Sequence, residues 1–391
     1  MRITVRFYAH LTAYLPPGAT GNRVELVLED GATGGELLAS LGIPAEVASA
    51  SLLLINGEHG RLSQGLKEGD QVSLLPPIYG GSGSLKPGAK IGGRAMERGG
   101  YAGKILRVDL TTRELKEEVL SPQVLRQFVG GTGIGAQILY DEVPAGVEPY
   151  DPQNRLIFAT GPLNGTLVPG SGTFAVVTKS PLTGFASAGH ANGFFGARLK
   201  QAGYDAVVVQ GGSPEWVYLS LNDGQAELRE ATWLVGKDAW ETEMALRERH
   251  GQKGMDLGLS VACIGPAGES RVRFAAVCSD RGHVASSGGP GAVMGSKRLK
   301  AIVAEGTRGI PVHERDLGRL KGLIQGWIDS ASASPFGRAV SQGGTAGFFS
   351  AAENMGWLPV RNLTANYFPE HPAFSGASLR STFNTKPRAC H

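Results

Sequence analysis

Glycine, more than any apolar run, limits what this chain can fold into. There are 58 glycines in 391 residues, about twice the usual share. They follow no collagen-like period. They separate short apolar, β-branched runs such as Phe174–Val177, Ala206–Val209 and Ala301–Ala304. Glycine accepts left-handed backbone and lets other segments approach closely, so the spacing predicts many short strands joined by tight turns. The densest stretch runs from Gly161 to Gly196. It reads as loop, strand over Phe174–Val177, turn at Lys179-Ser180-Pro181, loop through Ala188-Gly189-His190-Ala191-Asn192-Gly193, and helix over Phe194–Ala202. Proline ends the strand because it cannot donate to a ladder. Small residues before a helix leave its first amides open to a phosphate or another anion. A helix that merely needs a flexible start is the alternative reading of the same stretch.

The length allows two or three domains with real cores. A hydrophobic share of 41% against 19% charged residues describes a globular chain. The net charge is only +3 and there is no long basic run, which argues against nucleic acid or an anionic membrane as main partner. No apolar run approaches the roughly 18 residues of a membrane span. The start, MRITVRFYAHL, lacks the apolar core of a signal peptide. Cys263, Cys278 and Cys390 are too few and too scattered for a disulfide framework. The expectation is a cytoplasmic protein.

Residues 1–81 form the first unit. Arg2–Tyr8, Arg23–Leu28, Leu52–Ile55 and Val72–Leu75 read as strands, and Asn56-Gly57 marks a hairpin. Thr33 and Glu36 have capping-box spacing before Leu37-Leu38-Ala39. The order ββαββ is that of a β-grasp domain. Ser82–Gly100, rich in Gly, Ser, Lys and Arg, reads as a linker. A second domain starts near Tyr101. Within it Ile105–Leu110 is a strand, and Val124–Val129 and Ala136–Val143 are helices. Gly130 to Gly135 between them echoes a dinucleotide fingerprint, but a helix precedes it where that motif needs a strand; a helix–helix junction is expected instead. Val217–Leu221 and Ala226–Arg229 flank a three-residue turn at Asn222-Asp223-Gly224. Ala239–His250 reads as an amphipathic helix. Leu259–Ile264 and Val272–Cys278 read as strands on either side of Gly265-Pro266-Ala267-Gly268. The second glycine cluster, Ser286 to Lys297, ends Gly-Ser-Lys rather than Gly-Lys-Ser/Thr, so it reads as a backbone cradle and not a P-loop. Leu317–Ile328 and Gly344–Met355 read as helices. Together these predict an α+β chain with largely antiparallel sheets.

Two resemblances span nearly the whole sequence. The tail of the first unit, from Leu66-Lys67-Glu68-Gly69-Asp70 to Ile78-Tyr79-Gly80-Gly81, resembles the ubiquitin-like sulfur carriers (the small subunit of molybdopterin synthase and the thiamin sulfur carrier). In that family the terminal Gly-Gly enters a partner's active site. Here Ser82 follows Gly81, so a carrier role requires cleavage, and a retained docking domain is the alternative. Residues 101–391 resemble the N-terminal part of the tungsten-dependent aldehyde ferredoxin oxidoreductases. Six blocks carry that likeness: Tyr101 to Leu110, Gly161 to Thr166, Val176 to Phe185, Ala202 to Ala206, Ile264 to Glu269 and Gly291 to Lys297.

The second resemblance implies a two-sheet, mainly antiparallel cofactor-cradle domain over 101–308, followed by the start of a helical iron–sulfur domain over 309–391. It implies a tungsten or molybdenum bis-pyranopterin, a 4Fe–4S cluster and Mg as cofactors. Thr173, His190, Ala191, Asn192, Gly193, Ser287, Gly288 and Gly289 fall where the family contacts its pterins. Thr173 and Ser287 stand where related enzymes can carry arginine, and His190 where they can carry asparagine. Cys390 is implied as the first cluster ligand, whereas Cys263 and Cys278 read as core thiols. The implied reaction is oxidation of an aldehyde to a carboxylic acid, with the metal cycling between +6 and +4 and electrons leaving for ferredoxin or another acceptor. Implied partners are sulfur-transfer or cofactor-synthesis enzymes at residues 1–81 and a second copy in a homodimer. The family's acid/base residues correspond to positions past His391, so residues 1–391 alone are expected to be inactive. A non-catalytic cofactor-binding or assembly protein is a further alternative.

Overall fold

The computed structural model describes residues 1–75 apart from 8–10, 12, 13, 18, 20–22 and 57, residues 99–312 apart from 253–257 and 281, and residues 314–383. Gly80, Gly81 and Cys390 lie outside the described residues. The chain divides into two compact units, Met1–Val312 and His313–His391.

The first unit begins with β1 (Arg2–Phe7), β2 (Arg23–Val27), α1 (Gly34–Ser40), α2 (Ala45–Ala50), β3 (Leu52–Ile55), β4 (Glu58–His59) and β5 (Gln71–Leu75). The sheet order is β2-β1-β5-β3-β4, with β1 parallel to β5 and the other pairs antiparallel. That is the β-grasp arrangement. Alternation buries Ile3, Val5 and Phe7 against Leu37, Leu38, Val72 and Leu74. Thr33 and Glu36 close the expected capping box, each side chain holding the other's backbone amide.

Two six-stranded sheets follow. The first takes β6 (Lys104–Asp109), β7 (Glu114–Val119), β8 (Leu156–Ala159), β9 (Phe174–Lys179), β10 (Ala186–Ala191) and β11 (Ala206–Gln210), with α3 (Pro122–Phe128), α4 (Thr132–Glu142) and α5 (Phe195–Gln201) between strands. The second takes β12 (Val217–Asn222), β13 (Gln225–Glu230), β14 (Leu259–Cys263), β15 (Val277–Ser279), β16 (His283–Ala285) and β17 (Leu299–Glu305). Its helices are α6 (Ala239–Arg249), α7 (Pro266–Glu269) and α8 (Pro290–Ser296). Each sheet has one parallel pair, β6 with β11 and β12 with β17; the remaining pairs are antiparallel, as the turn-rich pattern predicts.

Alternation along the strands builds three apolar layers. Phe158, Phe174 and Val176 point inward with Phe195 and Leu199 of α5 to meet Leu219, Ala262 and Ile302 of the second sheet. Ile157, Ala175 and Val177 face α4. Val261, Cys263 and Val303 face Leu246 of α6. Phe158, Phe174 and Phe195 cluster with ring centroids within 6.5 Å of one another, each fully buried and each contributing roughly 1.5–3 kcal/mol by burial.

The structure corrects four readings. Ala186–Ala191 is not loop but β10, the edge strand paired antiparallel with β9. Its sequence, ASAGHA, has little strand preference, and pairing with β9 imposes the conformation. The β12–β13 turn has two residues, because Asn222 pairs with Gln225; Asp223 and Gly224 both have positive φ, at 43° and 84°, matching the twist of the flanking strands. Of the expected strand 272–278 only Val277 and Cys278 fall in a strand, β15. Pro266 opens α7, and Val272 and Ala275 amides bond Ala267 and Val272 carbonyls instead of a ladder. Finally, the second half of the Ser286–Lys297 cluster is a helix, α8, with Gly289 as its left-handed N-cap.

The second unit contains α9 (Glu314–Ala333), α10 (Pro335–Gly343), α11 (Phe349–Asn354) and α12 (Gly376–Phe383). Ser334 caps α10 by accepting from the Gly337 amide. Leu323, Trp327, Phe336, Trp357, Leu363 and Tyr367 are exposed on it.

Candidate functional site

At one edge of the sheet pair the two glycine clusters come into direct contact. β10 presents Ser187, Gly189 and Ala191 to the second sheet. Ser187 Oγ donates to the Ser287 carbonyl at 3.1 Å, and a Cβ on Gly189 would lie 3.3 Å from Ala285. The other face turns to α4, where His190 Nε2 meets Thr132 Oγ1 at 2.8 Å. Thr173, just before β9, donates through Oγ1 to Asn192 Oδ1 at 2.5 Å. Thr173, His190, Asn192 and Ser287 are exposed, whereas Ala191 and Gly193 are buried. Five of the eight nominated cradle positions, Thr173, His190, Asn192, Ser287 and Gly288, reach the surface, with His190 on the α4 face of β10 and Ser287 against the other, while Ala191, Gly193 and Gly289 are buried.

The Ser286–Gly289 turn is fixed from below. Ser180 Oγ donates to the Gly288 carbonyl at 2.7 Å, and Ser187 holds the neighbouring Ser287 carbonyl. Gly288 and Gly289 have φ of 76° and 72°, which disfavours other residues. Any side chain at Gly288 would run into Ser187, and one at Gly289 into the Arg273 carbonyl. Gly289 donates to Ser286. The Ser287 and Gly288 amides have no protein acceptor among the described residues. Consecutive amides left open beside left-handed residues form a nest suited to an anion.

The start of α5 behaves otherwise. Its Phe194 and Phe195 amides donate to Asp280 Oδ2 at 2.7 and 3.1 Å. The anion at this terminus is the protein's own carboxylate, so the helix is not the phosphate receptor its glycine-rich approach suggested. Asp280 is buried. Its other oxygen accepts from Ser260 Oγ at 2.5 Å and lies 3.7 Å from Arg247. Gly193 (φ 95°) passes directly over it, since a Cβ there would sit 2.5 Å from Asp280 Oδ2.

Two further groups, not singled out from the sequence, brace the edge. Asn164 accepts from the Gly161 amide at 2.7 Å and donates to the Thr173 carbonyl at 3.1 Å. Lys200, fully buried, donates to the carbonyls of Gly100 and Gly161 and pairs with Asp205 at 3.3 Å. Burial pushes the Lys200 ammonium below its ordinary range, and Asp205 opposes the shift. The Asn164 signal lay within the Gly-Pro-Leu-Asn-Gly-Thr block. Asp280 and Lys200 gave none, because buried charges are recognised by partners distant in sequence. Among the described residues no three His, Cys, Asp or Glu side chains gather to hold a metal ion, and no helix is long and apolar enough to cross a membrane.

The fold is that of a two-sheet α+β protein whose glycine-rich edge carries open amides, hydroxyls and an imidazole. Residues 105–306 match the aldehyde ferredoxin oxidoreductase N-terminal domain, and residues 1–79 match the Mut7-C ubiquitin domain. The chain belongs to the aldehyde ferredoxin oxidoreductase family, a family of oxidoreductases, and carries a ubiquitin-like domain in front. The tungsten-containing aldehyde ferredoxin oxidoreductase of Pyrococcus abyssi is 40% identical over 292 residues, covering 74% of this chain and 47% of that protein. The WOR-like subunit of the aliphatic sulfonate oxidoreductase of Pyrococcus furiosus is 36% identical, over 68% of this chain and 44% of its own. Among solved structures, the BamBC active-site complex of benzoyl coenzyme A reductase, bound to 1,5-dienoyl-CoA, is 39% identical with a TM-score of 0.57, over 60% of this chain and 35% of that one. The chain thus spans about half the length of the curated relatives it matches.

Proposed function

We propose that residues 101–308 form the base of a tungsten or molybdenum bis-pyranopterin site, in an oxidoreductase that converts aldehydes to carboxylic acids and passes electrons through a 4Fe–4S cluster to ferredoxin. The observation that carries this reading is the open amide pair of Ser287 and Gly288, held by Ser180 and Ser187 on the same edge as Thr173, His190 and Asn192. The donor set fits a pterin phosphate. Backbone amides and hydroxyls donate to its oxygens, and the close packing at Gly288 and Gly289 keeps side chains out of the way. When bound, the cofactor would supply the two-electron redox chemistry. This chain's residues bind and orient it. Ser287 and Gly288 amides take the anionic oxygens, Thr173 and Asn192 offer polar contacts, and His190, steadied by Thr132, serves the pterin edge. Without arginine at positions 173 and 287 these contacts are neutral, so phosphate binding rests on geometry rather than on charge-assisted pairs. Cys390 in the 309–391 segment is the proposed first cluster ligand.

The test is to purify the protein from cells supplied with tungstate or with molybdate. The reading expects stoichiometric tungsten or molybdenum and oxidised-pterin fluorescence, with no aldehyde-dependent reduction of benzyl viologen by residues 1–391 alone. Gly288→Ala should lose metal and pterin together. A folded protein devoid of both would sink the reading. A second reading, favoured by the ubiquitin-like match over 1–79, releases residues 1–81 as a sulfur carrier. Intact mass spectrometry decides it by the presence or absence of a species ending at Gly81.

A further inference from the structure

The sequence places Cys263 and Cys278 far enough apart to read as unrelated core thiols. The sheet register brings them face to face. β14 and β15 pair antiparallel with Cys263 opposite Cys278, and both thiols are free. Directly opposed residues in an antiparallel ladder have Cα atoms roughly 4.5–5.5 Å apart, within the roughly 4.4–6.8 Å a disulfide spans, and their side chains leave the same face of the sheet. That face is the one covered by α6. Cys263 belongs to its apolar layer and donates to the Ala239 carbonyl at 3.4 Å.

We propose that Cys263 and Cys278 are a cross-strand dithiol that closes to an intramolecular disulfide when a low-molecular-weight disulfide is the oxidant. Cys278 is partly exposed, whereas Cys263 is 1% exposed, which fixes the order of events. The Cys278 thiolate attacks the small disulfide, forming a mixed disulfide and releasing one thiol. The Cys263 thiolate then attacks Cys278 Sγ and releases the second. Two protein thiols lose two electrons and two protons, and the small disulfide is reduced to two thiols. Burial pushes both protein thiols up, and the Glu243 carboxylate near both adds to it; the pair therefore reacts slowly near neutral pH and faster as pH rises. Closure ties β14 to β15 just ahead of Asp280, the residue that anchors the start of α5. This inference does not depend on the cofactor reading.

The experiment incubates the full chain with oxidised glutathione at about pH 8.5, blocks residual thiols and maps tryptic peptides. The expected product links peptide 254–271 to peptide 274–281 and disappears on reduction. Cys263→Ser should trap Cys278 as a stable glutathione adduct, and Cys278→Ser should leave Cys263 unmodified in the folded protein. The closed form should melt about 5 °C higher, because the bridge constrains a loop of roughly 15 residues in the unfolded chain. Two reduced thiols with no linked peptide, or the same Cys278 adduct in wild type as in Cys263→Ser, would overturn the proposal. A linked form that melts no higher than the dithiol would overturn its role as a staple.

Discussion

Replacing Asp280 by alanine should loosen the whole glycine edge, and the size of the effect follows from its contacts. Oδ2 takes the Phe194 and Phe195 amides, while Oδ1 takes Ser260 Oγ and faces Arg247. Removal strands two amides and a hydroxyl, and takes one carboxylate away from Arg247, which keeps its pair with Glu243. Hydrogen bonds to a charged group are worth about 1.5–3 kcal/mol each, and breaking one side of a buried ion pair costs about 3–5 kcal/mol. Water entering the cavity recovers part of this, so a net loss of about 3–5 kcal/mol is expected. For a domain of this size that lowers Tm by about 10 °C. Asp280→Asn keeps the shape but turns an amide N–H₂ toward Arg247 or toward the α5 amides; about half the loss is expected. Scanning calorimetry of wild type and both variants measures the change, and hydrogen exchange at the Phe194 and Phe195 amides localises it. An alanine variant melting within about 2 °C of wild type, with those amides still protected, would refute the assignment of Asp280 as the anchor of α5.

Three further outcomes are expected. Burial, with Arg155 adding to it, pushes the Lys297 ammonium down to about 7, and it donates to the Pro152 and Gly211 carbonyls rather than to a carboxylate. The folded state therefore binds fewer protons than the unfolded chain between about pH 7 and pH 10, so this residue makes stability rise with pH across that window. Lys297→Met should remove up to about 1.4 kcal/mol per pH unit of that slope, read as the difference between wild-type and variant urea titrations at pH 7, 8 and 9; parallel curves would contradict it. Gly288→Ala forces a side chain into Ser187 at positive φ and should cost about 2–4 kcal/mol, measured as a drop in Tm. Thr33→Ala breaks the capping box on α1 and should cost about 1 kcal/mol, measured by faster exchange of the Glu36 and Leu37 amides.

The parts of this protein legible in the sequence are those whose causes are local. Thr33 and Glu36 cap a helix because both lie within one turn of it. The junction at Gly130 and Gly131 reads correctly because positive φ at both positions is a property of the residues themselves. Alternation in β1 and the continuous burial of β8 and β17 follow from the side chains in each run. The edge strand β10 was not legible, since Ala, Ser and Gly state no preference and β9 supplies the missing ladder. Nor was the occupant of the α5 terminus, because Asp280 arrives from 86 residues away. The pairing of Cys263 with Cys278 is set by register, which no single strand encodes. Local free energies fix turns, caps and strand tendencies; which carboxylate, hydroxyl or thiol meets them is decided by packing two sheets together, where burial makes each unpaired polar group expensive and so selects its partner.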